Sequence, residues 1–149
     1  MSQIENFRRL SFLVYGLGTT GKSVVNFFRK NNIKHYQVWD DKEKGLYRDK
    51  RPENLTKVLS VVDFIVLSPG VSLNNSKNNK KLKKFKNKII TDIDLIFLTK
   101  KFYKSIVVTG TNGKSTTCKI INHILNKNKY KSLLGGNIGT PILSLNIKR

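Results

Sequence analysis

A chain of 149 residues has the length of about one domain, or one and a half small ones, and can bury a core. At 38% hydrophobic, with no apolar run near the length of a bilayer span, it is not read as a transmembrane protein. The net charge of +20, from 29 basic against 9 acidic residues, brings nucleic acid to mind, but 23 of the basic residues are Lys, 16 residues are Asn, 14 are Ile and Ala is absent. That profile matches the codon bias of an A/T-rich genome spread over the whole chain. We therefore expect no nucleic-acid partner, no membrane partner and a monomer. Residues 1–9 carry neither an apolar signal core nor a small-residue cleavage site, which points to the cytoplasm. The single cysteine, Cys118, excludes an internal disulfide framework and a multi-cysteine metal site.

Strands alternate with helices along the chain. Residues 11–15 (SFLVY) predict a strand that ends in a glycine turn, and Val24, Val25, Phe27 and Phe28 predict the helix after it. Residues 36–39 predict a second strand ending in Asp40-Asp41, and 61–67 (VVDFIVL) a third ending at Ser68-Pro69-Gly70. Residues 76–88 hold seven Lys, with Leu82 and Phe85 spaced to share one helix face and the lysines left to water. A fourth strand is predicted at 88–91 and a short helix at 93–98. Residues 105–109 (SIVVT) predict a further strand, which enters a second glycine turn ahead of a long helix carrying Ile120, Ile121, Ile124 and Leu125. Continuous apolar strands between amphipathic helices imply an α/β fold with a parallel sheet covered on both faces. We place a Rossmann-like domain at 1–92 and the start of a P-loop-type ATPase α/β domain at 93–149, with the linker falling between Thr91 and Lys104.

The first turn, Gly16-Leu17-Gly18-Thr19-Thr20-Gly21, is a G-x-G-x-x-G between a strand and a helix. Glycines there permit a tight bend and close approach of an anion to helix N-terminal amides, and Asp40 stands where an acidic residue meets a sugar hydroxyl. Taken alone, these residues suggest a dinucleotide dehydrogenase; alternatively, the glycines only let the helix pack closely on the sheet. The second turn, Gly110-Thr111-Asn112-Gly113-Lys114-Ser115, puts an ammonium and a hydroxyl at a helix start, as phosphate and Mg²⁺ binding requires. It departs from G-x-x-x-x-G-K-[ST], since position 108 is Val and the other glycine, Gly110, precedes Gly113 by three. Ser68-Pro69-Gly70 and the 135–141 loop (GGNIGTP) are two further turns in which ligands or plain turn chemistry are both possible.

Together, GLGTTGKS at 16–23, SPG at 68–70, TDIDL at 91–95, TGTNGKST at 109–116 and GGNIGTP at 135–141 resemble the Mur ligases, and among them the D-glutamate-adding branch. The resemblance runs through almost the whole chain in the family's order. It implies that the first domain is Rossmann-like but holds a UDP-sugar, UDP-N-acetylmuramoyl-L-alanine, instead of NAD. Gly18, Thr19, Thr20 and Gly21 would then sit at the diphosphate, Asp40 and Asp41 with Lys42 at the uracil end, Gly70 along the cleft and Asn137 toward the muramoyl-alanyl portion. In the family pattern Asp41 is often Thr and Lys42 often Arg. Gly110, Thr111, Asn112, Gly113, Lys114, Ser115 and Thr116 would hold ATP, with Ser115 on Mg²⁺ and Lys114 and Ser115 acting in catalysis. The implied reaction forms an acyl phosphate from ATP and the substrate carboxylate, which the amine of D-glutamate then attacks. The family is considerably longer than this chain, so an amino-terminal piece that does not ligate by itself is expected. The rival readings are a non-catalytic nucleotide-binding module and a fragment of an NAD-dependent oxidoreductase.

Overall fold

The computed structural model describes residues 3–99, 104–136 and 139–145. They fall into two compact units, Met1–Lys101 and Phe102–Arg149. The first contains α1 (Gln3–Arg9), β1 (Phe12–Tyr15), α2 (Thr19–Lys30), β2 (Tyr36–Trp39), α3 (Leu55–Val61), β3 (Phe64–Leu67), α4 (Asn79–Lys84), β4 (Ile89–Ile90) and α5 (Asp92–Leu98). All four strands are parallel, in the order β2-β1-β3-β4, with Phe12 opposite Tyr36 on one side and Phe64 on the other. The chain leaves β1 toward one edge and returns to β3 on the other side, so the order reverses between β1 and β3. Ligands of open parallel sheets collect at the carboxyl ends of the strands flanking such a reversal.

β1 is buried along its whole length, as a central parallel strand covered on both faces must be. Its alternate residues divide the core. Phe12 meets Phe7 of α1 and Phe28 of α2, with ring centroids 5.2 and 4.9 Å away, and Phe28 continues to Tyr36 at 5.4 Å. Leu13 and Tyr15 join the opposite cluster with Leu55, Val58, Leu59, Val62, Ile65 and Leu82. The lysines of α4 are exposed around the buried Leu82, as its amphipathic spacing predicts.

The third strand is shorter than expected. Residues 61–67 form one apolar run, but Val61 is the last residue of α3 and is 67% exposed, and pairing begins only at Phe64. Asn54 starts α3 by accepting the Lys57 N–H at 3.1 Å, while Leu55, Val58 and Leu59 bury one helical face. Residues 93–98 lie in α5 as expected, with a capping box between Thr91 and Asp94, and α5 groups by packing with the first unit.

In the second unit, α6 (Lys114–Lys127) follows the second glycine turn. Ser132 Oγ donates to Asn122 Oδ1 at 2.8 Å, tying the return segment to this helix. The strand expected at 105–109 has no ladder partner among the described residues, and Ile106 and Val107 are 63% and 79% exposed. β-branched composition favours a strand, but a strand exists only where a neighbour takes its N–H and C=O groups. The P-loop-type sheet is accordingly not formed among the described residues. No described helix is long and apolar enough to cross a membrane.

One lysine has a structural task. Lys88 Nζ donates to the carbonyls of Ser60 at 2.7 Å and Val62 at 2.8 Å, where α3 ends. A cation there satisfies carbonyls with no helical partner and faces the negative end of the helix dipole. Lys88→Met should lower stability by about 1–2 kcal/mol in urea unfolding, whereas the exposed Lys83→Met should change it by less than about 0.5 kcal/mol.

Candidate functional site

The first glycine turn stands at the reversal point, and its shape is set by contacts that exclude side chains. Gly16 has φ +94°, and a Cβ on it would come within 2.6 Å of Val71 Cγ2 and 2.9 Å of Ser68 Cβ. A Cβ on Gly21 would overlap the carbonyl oxygen of Gly16. α2 therefore begins pressed against the end of β1. Ser68, buried after β3, donates from Oγ to Gly16 O at 2.7 Å and fixes that carbonyl. Gly18 differs: it is exposed, caps α2 without a side-chain hydrogen bond, and a Cβ on it would meet nothing within 4 Å. Of the two glycines expected at a diphosphate, Gly21 has a packing reason of its own and Gly18 leaves open space before the helix start. Thr19 is exposed and Thr20 half-buried in the first turn of α2, and Gly70 is exposed.

Asp40, at the end of β2, is held by backbone donors. Its Oδ2 accepts from Leu17 N at 2.6 Å, and Oδ1 accepts from Lys42 N at 2.8 Å and Glu43 N at 2.9 Å. Burial opposes the charge, but the N–H groups of Leu17, Glu43 and Lys42 outweigh it, with help from the Arg51 charge, and hold the carboxyl below its ordinary value. The carboxylate thus braces the glycine turn against the β2 loop.

Asp41 is the hub of a second network. Its carboxylate accepts from Tyr15 Oη at 2.9 Å, Trp39 Nε1 at 3.0 Å and Asn78 Nδ2 at 2.8 Å. Asn78 also donates to Tyr15 Oη at 3.1 Å. Burial, followed by the Asp41 carboxylate against the opposing Asn78 bond, pushes the Tyr15 phenol above its ordinary value. The Arg51 guanidinium lies over the Trp39 ring, 4.1 Å from its centroid, and donates to the carbonyls of Asp40 and Glu43 at 3.2 Å. Sequence reasoning singled out none of Tyr15, Trp39, Asn78 and Arg51. These partners lie up to 63 residues apart, and neither period nor motif links them.

The second glycine turn is described within its own unit. Gly110 has φ +143° and Gly113 φ +76°, and Gly113 caps α6 without a side-chain bond. Lys114 folds back, its Nζ donating to the carbonyl of Gly110 and, at 2.9 Å, to that of Thr111. Asn112, Ser115 and Thr116 are exposed. Asn137 lies outside the described residues. Among the described residues no group of three or more His, Cys, Asp or Glu stands together to hold a metal ion.

A parallel α/β sheet with a glycine turn at its reversal point and an acidic residue closing the next strand defines the Rossmann-like class of domain. Residues 11–91 match the family model described as Mur ligase MurD-like, N-terminal domain, and the chain belongs to that family. It is 37% identical over 154 residues to the UDP-N-acetylmuramoylalanine–D-glutamate ligase of Wolbachia sp. subsp. Brugia malayi (strain TRS), covering 96% of this chain and 31% of that protein. The enzymes of the same name from Rickettsia prowazekii (strain Madrid E) and Buchnera aphidicola subsp. Schizaphis graminum (strain Sg) are 40% and 37% identical. Those matches cover 92% and 94% of this chain and 32% and 33% of theirs. The chain thus spans about a third of the length of these curated relatives.

Two outcomes test this geometry. Gly21→Ala should cost at least about 2 kcal/mol in chemical unfolding, because backbone rather than a mobile side chain blocks the added methyl. The low carboxyl value of Asp40 means that its contribution to stability is present above the ordinary carboxylate range, about pH 4, and is lost as pH falls through the folded value. Wild type should therefore exceed Asp40→Asn in stability near neutrality, and the gap should close on acidification; a gap constant with pH would contradict the brace.

Proposed function

We propose that this chain supplies the UDP-sugar-binding domain, and the opening segment of the ATP-binding domain, of a ligase that adds D-glutamate to UDP-N-acetylmuramoyl-L-alanine in peptidoglycan precursor synthesis. The observation that carries this is the glycine turn at the sheet reversal, with Gly18 opening onto the α2 N-terminus and Asp40 bracing Leu17 from the next strand. Support comes from the family match over 11–91 and from the names of the relatives.

In this reading Thr19, Thr20 and the first-turn amides of α2 receive the diphosphate, and the Asp40–Glu43 loop receives the uridine end. Gly21 acts by letting α2 start where it does. Asp41 serves through its network with Tyr15, Trp39 and Asn78, since its carboxylate already accepts three side-chain donors. Gly70 borders the same carboxyl edge of the sheet, and Asn137 keeps its proposed place toward the muramoyl-alanyl portion.

The residues of the second turn fit a nucleoside triphosphate. Two positive-φ glycines shape a loop ahead of a 14-residue helix whose cap makes no side-chain bond, so the first amides are left to an anion. Lys114 already sits over the loop; on phosphate binding it would exchange the Gly110 and Thr111 carbonyls for phosphate oxygens and offset charge on the transferred group. Residues 95–149 contain no Asp or Glu. The Ser115 hydroxyl would serve as one hard oxygen donor to Mg²⁺, which would supply charge to offset that of the phosphates. ATP supplies the phosphoryl group that activates the substrate carboxylate for attack by the D-glutamate amine. What these residues contribute is positioning and charge.

Calorimetric titration separates this from the rivals. UDP-N-acetylmuramoyl-L-alanine should bind, and Thr20→Ala should weaken it about tenfold; ATP should bind, and Lys114→Ala should weaken it by a similar factor. NADH binding in place of the UDP-sugar would identify an oxidoreductase fragment, and ATP binding alone a nucleotide-binding module.

A further inference from the structure

We propose that Arg51 is the positioning residue for the base of the nucleotide: stacked on Trp39, it clamps the Asp40–Glu43 loop in the shape that discriminates uracil. This deepens the UDP-sugar reading above and rests on it.

Arg51 lies eleven residues beyond Asp40, in a stretch with no motif, yet its guanidinium returns to the carboxyl end of β2. One nitrogen, Nη1, donates to the carbonyls of both Asp40 and Glu43, and Nη2 donates to Asp40, all at 3.2 Å. The cation thereby spans the two ends of the loop from outside. Inside the same loop the Asp40 carboxylate gathers the Lys42 and Glu43 amides at 2.8 and 2.9 Å. The four-residue turn is held by an anion on its amides and a cation on its carbonyls. The guanidinium carbon lies over the indole of Trp39, 4.1 Å from its centroid, and the indole is anchored by its own Nε1 bond to Asp41. A flat, delocalised cation is needed for that arrangement. It must donate to two carbonyls in its plane while stacking on a ring, and a lysine ammonium cannot do both.

The clamp matters for recognition because Asp40 does two jobs. Its other oxygen holds Leu17 N in the glycine turn, so the loop that meets the base and the turn that meets the phosphates are braced through one side chain. Uracil and cytosine differ only at one edge, where a carbonyl and ring N–H are replaced by an amino group and a bare nitrogen. Telling them apart requires loop groups held to a fraction of an ångström, because discrimination comes from polar groups left unpaired by the wrong base. The phosphates, by contrast, tolerate small displacements of a charged turn.

Trp39 is the single tryptophan of the chain and lies directly beneath Arg51, so it reports on this loop and no other. The experiment titrates UDP and CDP against wild type, Arg51→Met and Arg51→Lys, reading Trp39 fluorescence and calorimetry, with thermal melts alongside. Wild type should prefer UDP to CDP. Both variants should bind UDP about tenfold more weakly and CDP nearly unchanged, so that the preference collapses while both remain folded at the titration temperature. A stability defect alone would weaken both ligands by the same factor, since they share ribose, diphosphate and charge; that result would overturn the clamp. A UDP:CDP ratio in Arg51→Met within twofold of wild type, or full restoration by Arg51→Lys, would overturn it equally. If wild type binds neither nucleotide at Trp39, the UDP-sugar reading itself falls, and the role of Arg51 falls with it.

Discussion

The contact on which the first unit depends is that between the carbonyl of Gly16 and the backbone of Gly21. No side chain fits between them, so the first turn of α2 lies directly on the end of β1. From this one approach the rest of the carboxyl edge follows. The Gly16 carbonyl is held by Ser68 from β3, and the amide of Leu17 by Asp40 from β2. Three neighbouring strands are thereby locked at one rim, across the point where strand order reverses. A glycine turn in isolation would be a flexible loop; here it is a rigid edge with one open position, Gly18.

Charge explains less of the molecule than its quantity suggests. The four lysines of α4 are exposed around a single buried leucine. Other basic side chains have backbone carbonyls as partners, among them Arg8 at the end of α2, Lys88 at the end of α3, Arg51 over the β2 loop and Lys114 within the second turn. Carboxylates behave in the complementary way. Asp40 takes backbone N–H groups, and Asp63 takes the amide and hydroxyl of Ser11, which hold its carboxyl below the ordinary value. In a chain of this composition, the side chains that shape the fold are those aimed at unpaired main-chain groups.

Much of the first unit was legible because its signals are local. The strand 36–39 ends where its polar dipeptide begins, and α5 starts at the Thr91 cap. α3 was not legible, because Val61 and Val62 extend the apolar run of β3 and hide the helical spacing of Leu55, Val58 and Leu59. The opposite error occurred at 105–109, where β-branched residues read as a strand that no described neighbour pairs. Of the site, the glycine turn and Asp40 were readable by motif. The Tyr15–Asp41–Asn78 network was not, since it depends on residues brought together only by β1, β2 and the loop after β3 packing side by side.

The central claim is that the β1–α2 turn and the β2 loop form one binding edge for a uridine diphosphate. Backbone amide NMR tests this most directly, with UDP added to isotope-labelled protein. The account predicts concerted shifts of Leu17 to Gly21 together with Asp40 to Glu43, saturating along a single isotherm, because Asp40 couples the two segments. Shifts confined to residues 110–116, or movement of the glycine turn without the β2 loop, would contradict it.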